Sequence, residues 1–178
     1  MIYPSWKRIC GVHAQENGQI AAVWLAKDHD SDVIHLYDCH THDRDVIAVQ
    51  AESLKRRGTW IPIAWPKEAG ELVKLLKDHG CKMVPEFDPP SNREDIAETV
   101  SLEIYERMRT GRFKVGKHLE RWHDEFKRFY RHESKVPKDS FPLMAATRHA
   151  MGQLQYARSQ SENDKMKQKL EYPKRAIA

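Results

Sequence analysis

The chain has 178 residues, with 30 Lys and Arg against 26 Asp and Glu, a formal net charge of +4 and a pI near 8.9. That length suits one domain that buries a core without staples, and 40% hydrophobic with 31% charged residues lies outside the disordered class. No apolar run approaches the ~20 residues of a membrane span, and the start, Met1 to Lys7, has no signal-peptide core, so a soluble intracellular chain without membrane contact is expected. Cys10, Cys39 and Cys81 are scattered and form no C-x-x-C pair, which argues against a disulfide framework or a Cys-rich zinc site. The small basic excess permits a polyanionic partner without requiring one.

Three apolar runs open the chain. Arg8–Val12, Ile20–Leu25 and Val33–Tyr37 are rich in β-branched and aromatic residues and predict strands, with Asn17-Gly18 as a hairpin turn. Asp43–Arg57 reads as a helix stopped by Gly58. Trp60–Trp65 predicts a short buried strand ended by Pro66, Glu68–His79 a helix closed by Gly80, and Lys82–Val84 a further strand. Pro85–Asn92 is turn-rich. Arg93–Arg109 predicts a helix with Ile96, Val100, Ile104 and Met108 on one face, spaced by four as a period of 3.6 requires.

Phe113–Val115 reads as a small strand, Leu119–Tyr130 as an amphipathic helix, and Phe141–Gln155 as the last helix with an apolar face. These divide the chain into a domain over 1–157 and a basic polar tail over 158–178, which carries six Lys and Arg and three acids. Antiparallel strands followed by βα alternation predict an α/β domain with a mixed sheet flanked by helices. Three strands, then helix, strand, helix, strand, is the order of a ribonuclease H-like fold.

Several constellations carry chemistry. His35, Asp38, Cys39, His40, His42 and Asp43 offer ligand types suited to Zn²⁺ or Ni²⁺; the plainer alternative is a strand end leading into a helix capped by Thr41 or Asp43. Residues 107–135 hold ten Lys and Arg against four acids. Within them Arg112, Lys114, Lys117 and Arg121 are candidate contacts to DNA phosphates, with a solvated helix face as the alternative. The five tryptophans are assigned to the core. Arg148, on an otherwise apolar helix, is expected to pair with a buried acid. No G-x-x-x-x-G-K-[ST] loop is present, so no P-loop ATPase is expected in this chain, whether it is an excised domain or a free-standing protein.

Five strings carry a resemblance. They are Gly11-Val12 followed by Ala21–Ala26, then Ile61–Pro66, Arg107–Val115, His118–Trp122 and Leu143–Ala150. In this order and spacing the chain resembles the C-terminal nuclease domain of tailed-bacteriophage terminase large subunits over about residues 7–151. The resemblance implies a ribonuclease H-like fold. It also implies metal-dependent cutting of concatemeric viral DNA, with Mg²⁺ or Mn²⁺ held by clustered carboxylates, double-stranded DNA and phage packaging proteins as partners, and the host cytoplasm as the setting.

The family places an aspartate on the first strand, an acid after the Trp-Pro strand end, and acid at the start of the last helix. Here the first position is His13 and the second is Glu68. At the third stand Phe141-Pro142, with Asp139 as the nearest acid. A two-metal site needs ions roughly 3.5–4 Å apart bridged by carboxylates, and a hard ion wants oxygen ligands. His13, Glu68 and Asp139 therefore form a degenerate version of the catalytic set, with Glu68 as the one metal ligand in place. The implied function is a catalytically degenerate domain that binds DNA or packaging proteins and needs no metal. An active endonuclease working through a shifted acidic site, with Glu16 or Asp139 recruited, is the alternative.

Overall fold

In the computed structural model, residues 2–28, 30–42, 46–66, 69–85, 93–129 and 141–171 are described. Five strands form one mixed sheet in the order β4-β1-β2-β3-β5. β1 (Lys7–Ala14), β2 (Ile20–Lys27) and β3 (Ile34–His42) make an antiparallel meander. β4 (Ile63–Ala64) runs parallel to β1, and β5 (Phe113–Val115) parallel to β3. The helices are α1 (Ile47–Lys55), α2 (Gly70–Asp78), α3 (Arg93–Arg109), α4 (Glu120–Phe129), α5 (Pro142–Gly152) and α6 (Gln160–Glu171).

The first hairpin closes through a loop in which Gly18 has φ +82°, a left-handed conformation that glycine takes without strain. Gln15 N–H donates to the carbonyl of Gln19 at 2.9 Å, which extends the ladder into the turn.

β2 is buried from Ile20 to Ala26. A strand with apolar residues on both sides must be covered on both faces. α5 lies across β1 and β2 on one face, with α3 and α4 packed against it. Gly11 sets how closely α5 approaches, since a Cβ there would stand 2.1 Å from the Ala146 carbonyl oxygen and 2.8 Å from the Ala150 Cβ. Trp122 of α4 is wholly buried and donates from Nε1 to Thr147 Oγ1 on α5 at 3.0 Å. On the opposite face Trp24 is equally buried, and the Arg57 guanidinium lies 4.3 Å from its ring centroid.

Several expectations change. The strand expected over Trp60–Trp65 is reduced to Ile63–Ala64, and the one over Lys82–Val84 to an isolated bridge between Ile63 and Met83. β3 continues to His42, and α1 begins after Val46 with no side-chain cap hydrogen bond. Thr41 is thus a strand residue and caps no helix; Asp43 lies outside the described residues. Trp24, Trp65 and Trp122 are buried, but Trp6 and Trp60 are half-buried.

Arg148 has no acid partner among the described residues. Its guanidinium lies 5.9 Å from the Phe129 ring centroid, and Nη1 is buried without a hydrogen-bond partner there. The segment from Arg158 is joined to β1 by reciprocal backbone hydrogen bonds with Arg8, of 2.7 and 3.1 Å. α6 then opens on a capping box. Ser159 N–H donates to Glu162 Oε2 at 2.9 Å, and Glu162 N–H donates to Ser159 Oγ at 3.2 Å.

Candidate functional site

The antiparallel meander points β1 and β3 the same way and β4 runs parallel to β1, so the C-terminal ends of β1, β3 and β4 lie at one end of the sheet. Strand alternation puts His13 on the same face as Gly11, beneath α5. There its ring stacks on that of His149, with centroids 5.7 Å apart and planes 19° from parallel. Burial pushes the His149 imidazole down to about 3, and the neighbouring His13 and Arg148 act in the same direction. His149 is therefore neutral at physiological pH, and no carboxylate among the described residues answers the charge of Arg148.

β4 pairs Ala64 with Gly11, so the chain leaves through Trp65-Pro66 at the end where His13 stands. Trp65 is fixed there by two hydrogen bonds. Its Nε1 donates to the Val84 carbonyl at 2.9 Å, and its own carbonyl accepts from Gln153 Nε2 at 3.2 Å. Glu68, two residues beyond Pro66, and Asp139, two residues before Phe141, lie outside the described residues. Glu16 is exposed in the β1–β2 turn.

At the β3 side of this end, Cys39, His40, Thr41, Arg121 and Leu143 line a hollow of about 290 Å³. Arg121 Nη1 donates to Thr41 Oγ1 across it. Beneath the hollow, Glu125 of α4 is buried, at 7% exposure. Its Oε2 accepts from the backbone N–H of Leu143 at 2.9 Å and of Met144 at 3.3 Å. Phe141, at the N-cap of α5, supplies no side-chain cap, so a carboxylate from another helix satisfies the first turn. Burial pushes that carboxyl up to about 7 against the two hydrogen bonds. Glu125 is not among the residues that the sequence singles out. The available signal was an acid on the apolar stripe of α4, three residues after Trp122 and four before Phe129.

The four candidate phosphate contacts separate. Arg112 is tied near the β2–β3 turn, by Nε to Thr110 Oγ1 at 3.1 Å and by Nη1 to Asp32 at 3.8 Å. Lys114 is exposed on β5, opposite His35 in the ladder. Lys117 is exposed in the turn before α4. Arg121 sits at Thr41, near the far end of β3, roughly 20 Å along the strand from the Arg112 end at ~3.3 Å per residue. Arg121 lies toward the end that holds His13 and Arg112 away from it, while Lys117 follows Gly116, whose N–H donates to the Leu36 carbonyl part-way along β3.

The residues expected to hold zinc or nickel also diverge. His35 stacks on Trp6 with centroids 4.8 Å apart, Asp38 pairs with Arg57 Nε at 2.7 Å, and Cys39 lines the hollow on the face that α5 covers. Among the described residues no group of three or more His, Cys, Asp or Glu is arranged to hold a metal ion. His13 and His149 lie ring on ring and do not direct lone pairs to one point. The described residues therefore do not fit the hard divalent ion that the resemblance implies.

No family model matches the chain. Over 159 residues it is 30% identical to the terminase large subunit of Salmonella phage P22, a match covering 84% of this chain and 32% of that protein. The chain spans about a third of the length of the curated relatives it matches. In structure it superposes on the P22 large terminase nuclease domain with a TM-score of 0.80 and 24% identity, covering 91% of this chain and 88% of that one. The nuclease domain of the SPP1 large terminase, solved with bound Mn, matches with a TM-score of 0.59 and 14% identity over 82% of this chain and 85% of that one. The fold is ribonuclease H-like, that of the terminase nuclease domains. Among the described residues no helix is long and apolar enough to cross a membrane.

Proposed function

We propose that this chain, which resembles the nuclease domain of phage terminase large subunits in sequence and in fold, is a degenerate nuclease-type domain that holds duplex DNA in a packaging machine without cutting it. One observation carries the reading. At the place on the first strand where the resemblance calls for an aspartate stands His13, stacked on the half-buried His149. Two imidazoles with the Arg148 guanidinium nearby bring no negative charge to that position. A pair of divalent ions needs bridging carboxylates, and Glu68 with the displaced Asp139 are the only acids that the sequence leaves at the remaining positions.

The binding role rests on cations. Arg121 stands beside the hollow at the end where His13 lies, and Lys117 lies close along the chain. Neither makes an ion pair among the described residues, so each is available to a phosphate.

Plasmid cleavage in Mn²⁺ and in Mg²⁺, comparing the parent chain with Glu68→Ala, tests the reading. The expected result is no metal-dependent nicking from either folded protein, with retained binding of duplex DNA. Nicking by the parent that disappears in Glu68→Ala would overturn it and establish an active endonuclease.

A further inference from the structure

The sheet face away from α5 carries a feature that duplex binding does not use. Trp6, from the segment before β1, stacks on His35 at 4.8 Å, and Tyr3 meets the edge of Trp6 at 5.3 Å. Further across the face, the Arg8 guanidinium lies 5.9 Å from the Tyr37 ring centroid and 5.4 Å from that of Trp60. Tyr37 reaches this face through a bulge. Trp24 pairs with Asp38 and Leu25 with Leu36, so Tyr37 is the additional residue, and a bulge re-aims the side chains around it. Trp60, Arg8, Tyr37, His35, Trp6 and Tyr3 thus form a strip of rings with a cation at its centre.

The strip is accessible. Trp6, Tyr37 and Trp60 are half-buried, and Tyr3 is 51% exposed. An open groove of about 330 Å³, bounded by Ile2, His35, Tyr37, Lys114 and His118, runs along it to the sheet edge at β5. Lys114 is exposed there and makes no ion pair among the described residues. Of the acids nearby, Asp38 is paired with Arg57, while the Asp28 carboxylate, held by Ser31, keeps its charge and is outnumbered by Arg8 and Lys114. The charge offered to a ligand is positive.

We propose that this strip binds single-stranded nucleic acid, with unpaired bases stacking on the aromatic rings and phosphates meeting Lys114 and Arg8. Flat rings with cations between them are the chemistry of such tracks, and base stacking is tolerant of sequence because every base has a π-face. A duplex keeps its bases stacked inside and gains nothing from the rings. Most of the strip lies away from the end that holds His13, so it differs in place and in substrate from the proposed duplex contacts and fails separately from them.

Fluorescence anisotropy with labelled strands tests the inference. A short oligothymidylate is compared with an abasic deoxyribose-phosphate strand of equal length, which has the same charge and no bases. The expected result is about tenfold tighter binding of the oligothymidylate. Trp6→Leu should abolish the difference and Trp6→Phe should keep most of it, with duplex binding altered less than twofold in both. Equal affinity for the two strands in the parent protein would overturn the inference, and so would an unchanged preference in a folded Trp6→Leu. Loss of duplex binding on Arg121→Glu, at the other end of β3, bears only on the proposed function.

Discussion

Glu125 of α4 accepts a hydrogen bond from the backbone N–H of Leu143 at 2.9 Å, so the first turn of the helix that covers β1 is capped from a neighbouring helix. Losing a cap costs typically ~1 kcal/mol, up to about 2, and leaves buried N–H groups without an acceptor. Glu125→Ala is therefore expected to lower stability by about 1–3 kcal/mol in urea unfolding. Glu125→Gln keeps a carbonyl acceptor and should lose less.

The same group gives a pH dependence. Its carboxyl stands at about 7 in the folded chain against 4.5 ordinarily, so the folded state holds the proton more tightly. Its stabilisation is full below about pH 4.5 and is lost as pH rises through 7. The parent's urea midpoint should fall between pH 5 and pH 8, and that part of the fall should vanish in Glu125→Gln. An equal fall in both proteins would remove the assignment.

His149 acts with the opposite sign. Its folded value of about 3 lies below the ordinary 6.5, so the unfolded chain takes up the proton first. The contribution is full above about pH 6.5 and is lost as pH falls toward 3. His149→Phe keeps a flat ring against His13 and removes the proton site. It should reduce the acid loss between pH 7 and pH 4 by about 1–3 kcal/mol, read from urea midpoints across that range.

Gly11→Ala tests the close approach of α5 to β1. A Cβ at 2.1 Å from the Ala146 oxygen forces backbone on backbone, and no flexible side chain can give way. A loss of about 3 kcal/mol or more is expected, at the upper end of overpacking penalties. Near-UV circular dichroism and the urea midpoint check it.

For duplex binding, Lys117→Glu with Arg121→Glu should weaken affinity and reduce the slope of log K against log salt by about 2, since each phosphate contact contributes ~0.9. An unchanged slope would remove these two residues from the interface.

Most of the fold was legible because each element carries its own local signal. The spacing of four through Val100, Ile104 and Met108 and the glycine stops report the chain's own periodicity, and α3 matches the expected Arg93–Arg109 span. β4 did not follow. Trp60 and Ile61 have strand composition, but Gly58 and Pro62 bend the chain around them, and only Ile63 and Ala64 reach β1. The departure at the candidate site was also legible, since it depends on which residue follows Gly11-Val12. The partner of His13 was not, because it lies 136 positions away on α5.

The order of elements, the resemblance and the substitution at His13 all follow from neighbours along the chain. Packing across the sheet decided that His13 meets His149, that Glu125 caps α5, and that Arg112 and Arg121 stand toward opposite ends of β3. It also left Trp6 and Trp60 half-buried, with Trp60 still packed against the core. The physical reason is the same in each case. Proximity across a sheet follows from strand register and helix packing, which join residues that no local periodicity relates.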